Sequence, residues 1–174
     1  MALLLNEDEK MLSETAEGFF KKKAPVAELR KLRDSQDEKG YSEALWSEMA
    51  EMGFAGVLVP EDQGGVDMGV MAAGLLAEQM GRNLSATPFF STSVLSASAL
   101  KNIGGDLSKN WLEKIAGGEA IVSFAIDEGA KHNPLGTETR AERSGNGFKI
   151  TGSKVMVLDA HVADAHIVVA RTGG

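Results

Sequence analysis

Glu119-Ala120-Ile121-Val122-Ser123-Phe124-Ala125-Ile126 is the stretch that decides the fold, because here a helical sequence turns into a β one. It follows Gly117-Gly118, is dense in β-branched and aromatic residues, and runs into the turn-forming Asp127-Glu128-Gly129, so it reads as a buried strand bounded by breakers. Two further runs have the same character, at 148–158 and 165–170. The run at 138–143 joins the one at 148–151 through Ser144-Gly145-Asn146-Gly147, where Asn-Gly is a strong hairpin signal. Antiparallel pairing is therefore expected in this part of the chain. The strand at 165–170 is expected to lack a partner. A few strands with an open edge bury too little surface to stand alone, so the chain is expected to be part of a larger protein or to borrow surface from a partner.

Upstream of Glu119 the sequence punctuates itself into helices. Asn6 caps a helix whose third position is Glu9, with Met11, Leu12, Ala16, Phe19 and Phe20 at helical spacing and Pro25 marking its end near Lys23. A short helix follows at 26–32, then a polar loop at 33–40. Ser42 caps the next, carrying Leu45, Trp46, Met49 and Met52 on one face and closed by Gly53. Further helices are expected at 67–80 (closed by Gly81), from Thr87-Pro88 to Ile103, and at 108–116. The fold class is thus α+β: an all-helical domain at 1–118 followed by a partial β domain at 119–174.

Composition narrows the function. With 43% hydrophobic and 25% charged residues the chain is globular rather than disordered. Its apolar runs are too short for a membrane span, and residues 1–6 have no basic stretch ahead of an apolar one, so a cytoplasmic location without a leader is expected. A net charge of −7 repels phosphate backbones, and Lys21-Lys22-Lys23 lacks interleaved aromatics, so nucleic acid is not an expected partner. His132, His161 and His166 are dispersed and there is no cysteine, which excludes the usual metal-site spacings. Gly64-Gly65, ahead of a helix, permits either a tight interhelical turn or a close backbone approach by another group.

Six segments then occur in a telling order. They are Leu45-Trp46-Ser47-Glu48-Met49-Ala50-Glu51-Met52-Gly53-Phe54, Val59-Pro60-Glu61-Asp62-Gln63-Gly64-Gly65, Ala77-Glu78-Gln79-Met80-Gly81, Leu112-Glu113-Lys114-Ile115-Ala116-Gly117-Gly118-Glu119, Ala141-Glu142-Arg143 through Gly152-Ser153-Lys154, and Ala163-Asp164. In order and spacing the chain resembles an acyl-CoA dehydrogenase over essentially its whole length. The resemblance implies a helical N-terminal domain, a middle β domain, and a C-terminal helical bundle that is absent from this sequence. It implies an oxidoreductase and flavoprotein of lipid metabolism. FAD is held by the β domain and the bundle, often with a neighbouring subunit, and acyl-CoA lies against the flavin. Such enzymes take a proton from the carbon beside the thioester carbonyl and pass hydride from the next carbon to the flavin, which requires a positioned carboxylate base. The family's base lies beyond this sequence, so no catalytic residue is assigned.

By position, the resemblance makes Phe124, Ile126, Asp127, Met156 and Leu158 the flavin contacts, and places His132 and Asn133 in the loop near the substrate. Here the chain departs from the family text. Asp127 stands for a threonine, His132-Asn133-Pro134 for Gly-Ser-Asp, Met156 for a tryptophan, and Leu158 for a serine or threonine, whereas Glu128 is kept. An anionic Asp127 beside a flavin that gains negative charge on reduction is unfavourable. Two readings follow from the resemblance. The chain is part or subunit of an FAD-dependent acyl-CoA dehydrogenase, or it is a non-catalytic structural subunit of a heteromeric one that does not itself bind FAD. Both imply a homo- or hetero-oligomer of related chains.

Overall fold

The computed structural model describes residues 4–173. Residues 1–3, on which the expectation about a leader partly rests, and Gly174 lie outside that range. Six α-helices are described: α1 (Glu7–Lys23), α2 (Val26–Asp34), α3 (Glu43–Glu51), α4 (Gly69–Asn83), α5 (Ala97–Ile103) and α6 (Gly105–Ala116). They precede strands β1 (Val122–Ala125), β2 (Arg140–Ser144), β3 (Gly147–Thr151) and β4 (Ala165–Val168). No described residue before β1 is in a strand. Among the described residues no helix is long and apolar enough to cross a membrane.

The local signals act as elementary chemistry requires. Asn6 Oδ1 accepts from the Glu9 amide at 2.8 Å while the Glu9 carboxylate accepts from the Asn6 amide at 2.8 Å, a complete capping box. Ser42 Oγ caps α3 through the Leu45 amide. The apolar face of α1 then meets the rest of the helical half: Phe20 is sealed from solvent, with Phe19 edge-on at 5.1 Å and Phe54 stacked at 6.0 Å. Met49, Val57, Leu76 and Phe89 complete this core. A second cluster, Val59, Leu100, Leu112, Ile115 and Val122 with Ile167 against it, joins the helices to β1 and β4.

Gly65 shows why the paired glycines are there. A Cβ on it would stand 2.0 Å from the Val59 carbonyl oxygen, so the backbones touch directly. Gly64 adopts φ +79° at the end of a short 3₁₀ turn. The pair serves a tight turn between α3 and α4.

Helix α4 starts at Gly69 rather than at 67, because Asp67 (φ +41°) and Gly69 (φ +82°) both lie in the left-handed region; it passes through Gly81 and ends where Leu84 turns left-handed. The helix expected from Thr87 to Ile103 is two elements: a π-helix over Phe89–Ser96, then α5. Tertiary hydrogen bonds account for the split. Ser91, Thr92, Ser93 and Ser96 are all buried on the π-helix, and three of their hydroxyls reach groups outside it. Thr92 Oγ1 accepts from the Val122 amide (3.2 Å) and Ser96 Oγ donates to the Val122 carbonyl (2.7 Å). These side chains satisfy the exposed edge of β1 as a neighbouring strand would.

The β part differs from expectation in two ways. The hairpin β2–β3 is antiparallel, with Ser144 opposite Gly147, but β1 and β4 pair in parallel, Val122 opposite Ala165 through Ala125 opposite Val168. The strand at 165–170, expected without a partner, therefore has one. Asp164 holds its start by accepting the Ile121 amide on Oδ2 (2.8 Å) and giving its own amide to the Ile121 carbonyl (2.8 Å). The run expected at 148–158 stops at Thr151. Gly152 (φ +157°) sits so close to Thr139 that a Cβ would lie 2.4 Å from its Oγ1, and Met156 (φ +54°) and Asp159 (φ +53°) turn the chain again.

Candidate functional site

Residues 124–128, leaving β1, and 154–158, leaving the hairpin, meet side by side. The Val155 amide donates to the Asp127 carbonyl at 2.8 Å, and Lys154 Nζ donates to the Ile126 carbonyl at 3.0 Å. Five positions that the sequence marks as cofactor-facing, Phe124, Ile126, Asp127, Met156 and Leu158, thus lie on two adjoining segments. Phe124 and Ile126 are half-buried, Leu158 is exposed, and Met156 is 81% exposed.

Glu128 organises the junction. Its carboxylate accepts from Lys154 Nζ (2.8 Å), Thr139 Oγ1 (2.5 Å), and the amides of Glu138 (2.6 Å) and Thr139 (2.9 Å). Lys154 is nearly buried, so its ammonium depends on this carboxylate and the Ile126 carbonyl. The Lys154 ion pair, then the Thr139 hydroxyl and the two amides, hold Glu128 far below the usual carboxylate range. Its role is to clamp β1, the hairpin and the intervening loop together.

Asp127, next in sequence, has a different partner. Its Oδ1 lies 2.8 Å from His132 Nδ1, so the two departures from the family text at these positions bind each other. The imidazole is largely exposed. Asn133 does not join them: its amide packs on Gly136, where a Cβ would come within 2.2 Å of Nδ2. On the helical side, Ser91 Oγ lies 2.5 Å from Asp159 Oδ2 and 3.0 Å from the Pro88 carbonyl, tying the loop after Met156 and Leu158 to the π-helix. His166 and His161 lie elsewhere, on Ser123 Oγ (2.6 Å) and the Lys39 carbonyl (3.1 Å). Among the described residues no three His, Cys, Asp or Glu side chains gather as a metal site.

The sequence marked Glu128 as retained but gave no sign of its partners. Thr139 and Lys154 are 11 and 26 residues away, and only the Gly152-Ser153-Lys154 segment hinted that the lysine matters. The bond between Ser91 and Asp159, 68 residues apart, had no local signal at all.

Comparison with known proteins bears on the whole of this arrangement. Residues 6–119 match the model of the acyl-CoA dehydrogenase N-terminal domain. The chain is 30% identical over 175 residues to the probable acyl-CoA dehydrogenase YngJ of Bacillus subtilis, covering 97% of this chain and 44% of that protein. It is 29% identical over 136 residues to the acyl-CoA dehydrogenase FadE27 of Mycobacterium tuberculosis, covering 78% of this chain and 35% of that protein. Among solved structures, the ChsE4-ChsE5 complex from Mycobacterium tuberculosis superposes with a TM-score of 0.85 at 26% identity, over 99% of this chain and 46% of that one. The chain therefore spans less than half the length of these relatives. By the family model and the similarity to YngJ, the chain belongs to the acyl-CoA dehydrogenase family.

Proposed function

We propose that this chain is part, or one subunit, of an FAD-dependent acyl-CoA dehydrogenase, an assembly that introduces a double bond between the α and β carbons of an acyl-CoA thioester. The observation that carries this reading is the continuity of the match: the family model covers the helical half and YngJ aligns through the β half as well. The chain's contribution is a scaffold. Its helical core carries β1, and the Glu128 clamp fixes the segments bearing Asp127 and Met156. None of its residues is assigned as the base, consistent with the chain's covering under half of its relatives.

The residues at the cofactor-facing positions do not fit a flavin ring well. The Asp127 carboxylate is acceptor-only and already engaged by His132, and the Ile126 and Asp127 carbonyls are taken by Lys154 and Val155. Met156 and Leu158 add apolar surface and no side-chain hydrogen-bond donor. These observations favour a second reading, in which the chain is a non-catalytic structural subunit that shapes its partner's acyl pocket while the partner holds FAD. Related chains in heteromeric assemblies, as in the ChsE4-ChsE5 complex, are compatible with it.

The test is to purify the intact protein alone and with chains that co-purify with it, and to mix each anaerobically with acyl-CoAs of graded chain length. Bleaching of the flavin band in the assembly, with no flavin in this chain by itself, is the expected result. An assembly that contains flavin yet responds to no acyl-CoA would contradict the proposed reaction.

A further inference from the structure

We propose that Arg140 and Arg171 form a binding site for a phosphate-type anion, beside the hairpin, in clefts that the segments carrying Asp127 and Met156 do not line. The two residues are bridge partners in a parallel pairing. The Ala141 amide donates to the Arg171 carbonyl and the Arg171 amide to the Thr139 carbonyl, both at 2.8 Å, which locks the register. Bridge partners in neighbouring strands stand about 4.8 Å apart with side chains on one side of the sheet. The two residues also line the same clefts, and like charges placed side by side repel unless an anion lies between them.

The two arginines are unequal in a way that suits recognition. Arg171 is already oriented: its Nε donates to the Thr137 carbonyl and one terminal nitrogen to the Leu135 carbonyl at 3.2 Å. Its remaining N–H groups are presented without further loss of side-chain freedom. Arg140 is exposed and makes no ion pair or side-chain hydrogen bond among the described residues, so all five of its donors are unspent. Glu138 and Glu142 flank Arg140 in sequence and line the clefts beside it. Arg143 lies nearby, over the Phe148 ring at 5.6 Å.

Clefts open on both sides of the pair. One, of about 380 Å³, is bounded by Arg140, Glu142, Arg143, Arg171 and Thr172; the other, of about 400 Å³, by Thr137, Glu138, Arg140 and Arg171, so each cleft has arginines outnumbering a single carboxylate. Two adjacent guanidinium forks match the several oxygens of a phosphate or diphosphate better than the two of a single carboxylate.

Calorimetric titration of the intact protein with inorganic pyrophosphate, at fixed ionic strength, tests the site. Binding is expected to weaken about tenfold or more in Arg140→Gln, to be partly retained in Arg140→Lys, and to be unchanged in Arg30→Gln, a remote exposed arginine. Arg171 is left intact because it also holds two backbone carbonyls. ADP is titrated in parallel: tighter Arg140-dependent binding than pyrophosphate identifies a nucleotide as the source of the phosphate, and equal binding identifies a free phosphate compound, the site standing in either case. Absence of binding, affinity unaltered by Arg140→Gln, or an equal loss in Arg30→Gln would overturn it.

Discussion

Phe20 and Phe148 sit in two differently built halves of the molecule. Phe20 is sealed among Phe19, Phe54 and the α1–α4 interface, whereas Phe148 is 53% exposed on a hairpin whose strands present almost every side chain to solvent. The helical half closes its own apolar core. The β half is held by β1 and β4 packing on the helices, by hydroxyls from the π-helix, and by the polar clamp at Glu128. The difference teaches that stability comes from a self-contained apolar core on one side of Glu119 and, on the other, from β1 and β4 packing on the helices together with a few specific hydrogen bonds.

That comparison breaks most visibly in the helical core. Phe20→Ala is expected to lower unfolding free energy by about 3–5 kcal/mol, as for large-to-small changes at fully buried aromatics, while Phe148→Ala changes it by less than about 1 kcal/mol; urea denaturation of both variants measures the contrast. Comparable losses for the two would abolish the distinction. Gly65→Ala comes next. Its new Cβ meets backbone rather than a movable side chain, so a loss on the order of 2 kcal/mol is expected from overpacking, read as a drop in thermal midpoint.

Removing a hydroxyl from the β1 edge has a smaller effect. Ser96→Ala is expected to cost about 1–2 kcal/mol, because it leaves the buried Val122 carbonyl one donor short, and to speed amide exchange in β1 and β4 before α1. Acid sharpens the comparison further. Glu128 has a folded-state pKa well below its ordinary 4.5, so its stabilising contribution is fully present above 4.5 and is lost progressively as pH falls below it. Glu128→Gln is expected to flatten the acid limb of the stability curve below pH 4.5, with the change confined to the β half in hydrogen exchange. An unchanged acid limb would remove Glu128 from that role.

Much of the helical half was legible in the sequence because its signals are local. Asn6 with Glu9, Ser42 with Leu45, and the spacing of Phe19 and Phe20 all act within one turn of helix. The Asn146-Gly147 hairpin was legible for the same reason. What was missed depends on distance along the chain. The parallel pairing of Val122 with Ala165, the π-helix whose hydroxyls meet Val122, and the stop at Thr151 caused by Thr139 against Gly152 arise from groups far apart in sequence. At the candidate site the resemblance offered candidate positions, but did not reveal that Asp127 binds His132 or that Glu128 gathers Lys154 and Thr139. A carboxylate's partners cannot be read from its neighbours when the chain must first fold back 26 residues.

The scaffold follows the acyl-CoA dehydrogenase family; the central proposal is that the segment carrying Asp127 and Met156 does not hold FAD by itself. Titrating FAD into the 174-residue chain, followed by flavin absorbance and fluorescence, tests it directly. The account predicts a flavin spectrum unchanged by the protein, with occupancy gained only when Asp127→Thr, Met156→Trp and Leu158→Thr are combined in a chain extended through a C-terminal bundle. Stoichiometric binding to the unaltered chain, with a perturbed flavin spectrum, would contradict it.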